Sequence, residues 1–357
     1  MPPLVTGELP CLHVGVDENG LGPILGPMIV TAVAFRVVGP RPRSLGALVG
    51  DSKALVSHGD TALGEAWARA LLGALGPDPS TPAEVLARLS LDEEAVLRAP
   101  CPRGGDEGDG RARAQEHHAA TMCWPTDASS ERFVADDALV ERCARIVRGW
   151  GASSVGATAG RFVRRTPVEL VGARAVVVCA SRLNEEKTRG RHKFLVDLHS
   201  MERLALALHE AAIAQHGDAR VGPLDAVCGK VGGMGFYGDN FGPLSSRLFA
   251  IEAESRVASA YRFPGLGRFT FLQDADAVDP LVGLASLVGK YLRELTMARV
   301  VRYMRAAVTP QTSSLAAGEE LPEASGYRDP ITRRFVAATE LVRAHRGVPD
   351  RCFLRRS

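Results

Sequence analysis

Asp17 and Glu18 close a short apolar run, Cys11-Leu12-His13-Val14-Gly15-Val16, and lead at once into Asn19-Gly20-Leu21-Gly22-Pro23. A strand over Cys11 to Val16 would carry two adjacent carboxylates to its tip, beside a glycine turn. Neighbouring carboxylates repel unless a cation lies between them or water screens them. Glycines in the turn let the backbone approach something bulky. Hard divalent ions on one side and a phosphate backbone on the other suit both features. Side chains alternate along a strand, so both acids serve one site only if the strand bends there. Much later, Ser286, Lys290 and Glu294 recur at four-residue steps, which places them on one helix face and joins a carboxylate to phosphate contacts.

Other polar groupings carry less. Gly229-Lys230-Val231-Gly232-Gly233 lacks the Gly-Lys-Ser/Thr ending of a nucleotide loop. Glu116-His117-His118 with Cys123 has no second ligand pair for zinc. The run Lys187, Arg189, Arg191, His192, Lys193 reads first as a solvated helix approach, and second as a contact to a nucleic-acid backbone.

The elements that must position these residues are legible in part. Met28 to Val38 is rich in β-branched residues and forms a second strand, paired with the first through the glycine-proline turn. Ala173 to Ala180, Leu224 to Cys228 and Leu248 to Ala253 read as further strands. Apolar residues at three- and four-residue steps predict a helix from Val196 to Gln215, stopped by Gly217, and a second spans Pro280 to Arg305. Strands followed by strand-helix alternation point to an α/β fold with a mixed sheet. The expected organisation is a core of 1–59 and 166–308, a helix-rich insertion over 60–165 with a flexible polar loop near 102–114, and a C-terminal helical segment over 309–357 with a helix at Ile331 to His345.

The chain has 357 residues, with 43 Lys+Arg against 41 Asp+Glu, so net charge favours no polyanion. Its distribution is uneven: Lys290 to Ser357 holds 13 basic and 7 acidic residues, which suits a polyanion as well as it suits solvated helix faces. Seven scattered cysteines without Cys-x-x-Cys read as reduced thiols of a cytoplasmic protein rather than a disulfide frame or zinc cage. No apolar run reaches 18 residues, which argues against a membrane span.

Asp17-Glu18-Asn19-Gly20-Leu21-Gly22-Pro23 with Gly26-Pro27 resembles the opening signature of the type 2 ribonuclease H family. Asp51-Ser52-Lys53-Ala54-Leu55 resembles that family's next landmark. Ala285-Ser286 through Lys290 to Arg293-Glu294 is similar to its Ala-Ser…Lys…Arg-Asp helix, and Ser325-Gly326-Tyr327 with Gly347-Val348-Pro349 to its archaeal and eukaryotic C-terminal segment. The landmarks fall in the family's order. The resemblance implies a ribonuclease H-like mixed sheet flanked by helices and an endonuclease that hydrolyses the RNA strand of RNA/DNA hybrids, or DNA at embedded ribonucleotides. It implies Mg²⁺ or Mn²⁺ held by Asp17, Glu18 and Glu294. Gly20, Gly22, Ser52, Lys53, Ser286, Lys290 and Tyr327 would meet nucleic acid, with Tyr327 sensing the 2′-OH.

The departures from the family pattern bear on activity. Its third acid ends a core strand before Val-Gly, and here Gly229 holds that place; a one-residue slip would give Cys228, a soft ligand poorly suited to Mg²⁺. Asp225 on the same strand is about 13 Å away. Leu21 replaces an arginine. A second reading is therefore a ribonuclease H-fold protein that binds nucleic acid without efficient cleavage, and a third is a scaffold whose insertion binds a protein partner.

Overall fold

The computed structural model describes residues 10–38, 61–92, 131–151, 155–158, 161–164, 168–232, 234–309 and 320–356. Its centre is a seven-stranded mixed sheet in the order β5-β2-β1-β6-β9-β8-β7. β1 (Pro10–Asn19) and β2 (Met28–Val38) pair antiparallel from Pro10↔Val38 to Asn19↔Ile29. β2 also pairs antiparallel with β5 (Val168–Val178). On its other side β1 runs parallel to β6 (Leu224–Gly229), and β6 runs parallel to β9 (Gly267–Leu272). β8 (Ala258–Phe263) and β7 (Ala250–Glu254) complete the sheet as an antiparallel meander. β3 (Val155–Thr158) and β4 (Arg161–Arg164) form a separate hairpin.

The two faces of the sheet are covered by different helices, as strand alternation requires. Even-numbered Leu12, Val14 and Val16 pack under α5 (Lys193–His216), through its buried Leu198, Met201, Leu204, Ala205 and Leu208. Odd-numbered Ile29, Val33, Phe35, Ala175 and Val177 pack under α7 (Pro280–Arg305) together with α1 (Ala62–Leu75) and α2 (Pro82–Leu89). The stretch 60–165 thus contributes Trp67, Leu71, Val85 and, from α3 (Asp137–Gly151), Cys143 and Val147 to the same apolar cluster as the sheet. Glu131 extends this tie: its buried carboxylate accepts hydrogen bonds from Arg299 and Arg302 of α7. A third cluster joins Leu25, Met297, Val300 and Met304 to α8 (Pro330–Ala338) and α9 (Glu340–His345) through Phe335 and Val342.

β2 and α7 span the expected residues. β1 runs on through both acids to Asn19. β5 starts at Val168 and stops at Val178, so Ala180 opens α4 (Ala180–Thr188) instead of ending the strand. The strand expected at Leu248 to Ala253 is β7, shifted to Ala250–Glu254. β8 and β9, joined by a tight turn in which the Leu266 amide bonds the Phe263 carbonyl at 3.1 Å, were not read from the sequence. The single helix expected over Ile331 to His345 is two, divided at Thr339, whose hydroxyl bonds back to the Phe335 carbonyl at 2.8 Å. Such back-bonding bends helices. The polar loop near 102–114, the Asp51-to-Leu55 landmark with Ser52 and Lys53, and Glu116-His117-His118 with Cys123 lie outside the described residues. No helix among the described residues is long and apolar enough to cross a membrane.

Candidate functional site

Parallel β1, β6 and β9 bring their carboxyl ends to one edge of the sheet, the place where open α/β sheets form ligand crevices. A cleft of about 540 Å³ opens there. Its lining includes Asp17 and Glu18, the Gly20-to-Gly22 turn, Gly229 and Lys230, Asp274 to Asp276, Ser286, Lys290 and Tyr327. The strand tip therefore presents both acids to one space.

Asp17 and Glu18 are half-buried, and their carboxyls hold protons far more tightly than usual. Burial is the main cause for Asp17, pushed up to about 7; the Ser286 hydroxyl and the charge of Lys290 pull it down, while Asp276 pushes it up. Burial and then the charge of Asp17 raise Glu18 to about 8, against the Leu21 amide, Arg355 and Arg293. Glu18 Oε1 is buried without a hydrogen-bond partner. An orphaned carboxylate oxygen beside further oxygen donors is the chemistry that a hard divalent cation takes. The donor atoms of Asp17, Glu18 and Asp276 do not all come within 4.8 Å of one another, a spread that mutual repulsion favours.

α7 supplies the second wall. Gly289 lets it pass over the strand end, since a Cβ there would stand 2.4 Å from Asn19 Nδ2. Asn19 Nδ2 donates to the Ser286 carbonyl at 3.4 Å. Ser286 and Lys290 face the cleft, but Glu294 does not line it. Its Oε1 accepts instead from Arg293 Nη1 at 2.9 Å. Four-residue steps keep one face, yet eight residues also climb about 12 Å along the axis, past the strand tip.

The glycine turn is held from outside. Gly20 sits at φ 102°, open to glycine alone at little strain. Arg355, pulled down to about 9 by burial, donates to the carbonyls of Gly20, Gly26 (2.7 Å) and Pro23 (3.4 Å). The backbone amide of Arg355 also bonds the Ile24 carbonyl at 2.9 Å. Lys193 Nζ donates to the Leu21 carbonyl at 2.8 Å, so one member of the basic run does touch the site. Arg189 and Arg191 pair with Glu186 instead. Tyr327, 45% exposed, rests on the Arg293 guanidinium at 4.7 Å, with that guanidinium anchored to the Ser325 carbonyl at 2.6 Å.

The strand register is settled by Gly229. Cys228 is fully buried in the apolar cluster under α5, whereas a Cβ on Gly229 would stand 2.7 Å from Asp17 Oδ1. Asp225, four residues down β6, pairs with His13 at 3.1 Å.

Two acids near the site were missed from the sequence. Asp276 lies on α6 (Ala275–Val278), a single helical turn that follows β9 after Asp274 adopts φ 50°. Three aspartates precede Pro280, and only Asp279 is spent on capping α7, accepting from the amides of Leu281 (2.9 Å) and Val282 (3.2 Å). Asp197 is the second: it lies on the buried face of α5, 1% exposed, with Oδ1 unpartnered, whereas the other buried acid of that helix, Glu202, accepts from the Gly242 and Leu244 amides. Burial and the charges of Glu18 and Asp17 raise its carboxyl well above the usual range.

No protein-family model matches the chain, and no curated protein matches it. Solved structures that resemble it include a chain of the PCNA:RNase HII complex from Archaeoglobus fulgidus, at 14% identity and TM-score 0.39, covering 96% of this chain and 93% of that one. The ribonuclease H2 from Pyrococcus horikoshii OT3 matches at 11% identity and TM-score 0.41, covering 96% and 92%. Bst-RNase HIII in complex with Mn²⁺ matches at 14% identity and TM-score 0.41, covering 98% of this chain and 67% of that one. Overlap this loose carries no argument about chemistry, which rests on the chain's own residues.

Proposed function

We propose that this chain is a divalent-metal-dependent endoribonuclease acting on the RNA strand of RNA/DNA hybrids or on ribonucleotides embedded in DNA. The reading is carried by one observation: Asp17 and Glu18, at a strand tip with a buried orphan oxygen, share a cleft with Asp276, Ser286, Lys290 and an exposed tyrosine. Asp17, Glu18 and Asp276, drawn together by the ion, would be the oxygen ligands for Mg²⁺ or Mn²⁺, while Glu294 Oε1 engages Arg293 outside the cleft lining. When bound, such an ion activates water and neutralises charge on the departing oxygen. The Gly20–Gly22 main chain and Lys290 hold phosphates, and Ser286 orients Asp17. Tyr327, braced from behind by Arg293, offers its ring to the ribose bearing the 2′-OH.

Gly229 supports the second reading, a nucleic-acid binder that cuts poorly, because a position beside Asp17 carries no carboxylate. Incubating a duplex containing one ribonucleotide with Mg²⁺, then with Mn²⁺, separates the two. Cleavage that vanishes in Asp17→Asn supports the enzyme. Salt-sensitive binding without cleavage supports the binder, and indifference to hybrid and duplex alike overturns both.

A further inference from the structure

The ends of β1 and β6 away from the carboxylate cleft hold a second constellation. Cys11 and His13 are two residues apart on β1 and so share a face. Asp225 is the register partner of His13 on β6, and His13 Nδ1 lies 3.1 Å from Asp225 Oδ2. With Cys11 Sγ they form a trio whose donor atoms all lie within 4.8 Å of one another. Among the described residues this is the one group of three Cys, His, Asp or Glu donors drawn so close. His13 is 7% exposed, while Cys11 and Asp225 keep partial contact with solvent, which leaves an ion a way in. Asp17 is six residues further along the strand than Cys11, about 20 Å away, so the two places are separate.

A thiolate, an imidazole and a carboxylate are zinc ligands, with bonds of about 2.0–2.3 Å in tetrahedral geometry. That geometry sets donor atoms roughly 3–4 Å apart, a spacing the trio approaches with every donor pair inside 4.8 Å and His13 to Asp225 at 3.1 Å. Mg²⁺ and Ca²⁺ do not favour sulfur. We propose that Cys11, His13 and Asp225 form a binding site for Zn²⁺ or a similar borderline-soft divalent ion, with a fourth position open to water. On binding, Cys11 gives up its thiol proton to solvent, and bonds to the ion replace the His13–Asp225 contact. The ion then clips β1 to β6, and its binding free energy adds to the stability of the sheet. Cys-x-His spacing alone could not reveal this, because the third ligand arrives from a distant strand through parallel pairing. If the residues formed only an ion pair, added zinc would change nothing.

The test uses the full chain with Co²⁺ as a spectroscopic probe. One equivalent is expected to give a thiolate-to-cobalt charge-transfer band and tetrahedral d–d bands, displaced by Zn²⁺ and indifferent to Mg²⁺. The bands should be lost in Cys11→Ala and in the volume-conserving Cys11→Ser, weakened in Asp225→Asn, and retained in Asp17→Asn, which separates this site from the cleft. With Mg²⁺ saturating the carboxylate cleft, Zn²⁺ should raise the melting temperature of the unaltered chain and leave that of Cys11→Ser unmoved. Absence of the bands, or bands that survive either Cys11 variant, would overturn the proposal.

Discussion

Asp17 Oδ1 lies 2.7 Å from the point where a Cβ on Gly229 would stand. Any side chain at 229 therefore meets the end of the Asp17 carboxylate, which can rotate aside. Gly229→Asp is expected to add a ligand to the metal set, tightening Mn²⁺ binding in a calorimetric titration and raising cleavage. Without metal the same variant should melt earlier, because a fourth acid joins three that already repel. A variant with unchanged Mn²⁺ affinity would count against the assignment of this cleft as a cation site.

Both acids at the strand tip have folded-state affinities for protons above their unfolded ones, near 7 for Asp17 and 8 for Glu18 against ordinary values of 3.8 and 4.5. The folded state then binds more protons than the unfolded state between about pH 4 and 8, so stability falls as pH rises through that window. Thermal melts in a chelating buffer should show this slope. Asp17→Asn should flatten it and stabilise the metal-free protein at its alkaline end, and saturating Mg²⁺ should flatten it in the unaltered chain. A metal-free protein equally stable across the window would sink the claim that these acids are uncompensated.

Arg355 satisfies three carbonyls of the glycine turn from inside the protein. Its replacement by Met should leave those oxygens short of a donor, at a cost on the order of 1–3 kcal/mol for each one that stays buried. Urea unfolding measures the loss, and hydrogen exchange at Leu21 and Gly22 should accelerate. If only global stability changes and those amides stay protected, Arg355 does not hold the turn.

The carboxylate of Glu131 is 4% exposed as a residue and answers Arg299, itself 1% exposed. Glu131→Ala should cost about 3–5 kcal/mol, since it leaves a buried guanidinium without its counter-charge. Replacing both partners with apolar residues should recover much of that. Equal losses in the single and double variants would show that the pair contributes packing rather than charge compensation.

How much of this was legible follows from where each signal is stored. The apolar run before Asp17 and the β-branched stretch of β2 are local and strongly patterned, so the strand tip and its partner were readable. α7 has a proline start and long periodicity, and its bounds were readable too. Which face Ser286, Lys290 and Glu294 share follows from helix geometry, but which turn of that face meets the strand tip depends on where the helix is seated. Gly289 crossing Asn19 fixes that seat, and it leaves Glu294 beyond the cleft. Asp276 was hidden because its place depends on the reversal at Asp274 rather than on any period. The pairing of Asp225 with His13 is written in strand register, which no single segment encodes.

The guanidinium that closes the turn after Glu18 lies 335 residues beyond Gly20 in the sequence. On the ribosome β1 and β2 emerge before Arg355, with the carbonyls of Gly20, Pro23 and Gly26 still facing water. The acidic tip takes its final shape only when the segment carrying Arg355 is free to fold back. A nascent chain without that segment would carry the strand-tip acids without their arrangement, so maturation of the site waits on the docking of Arg355.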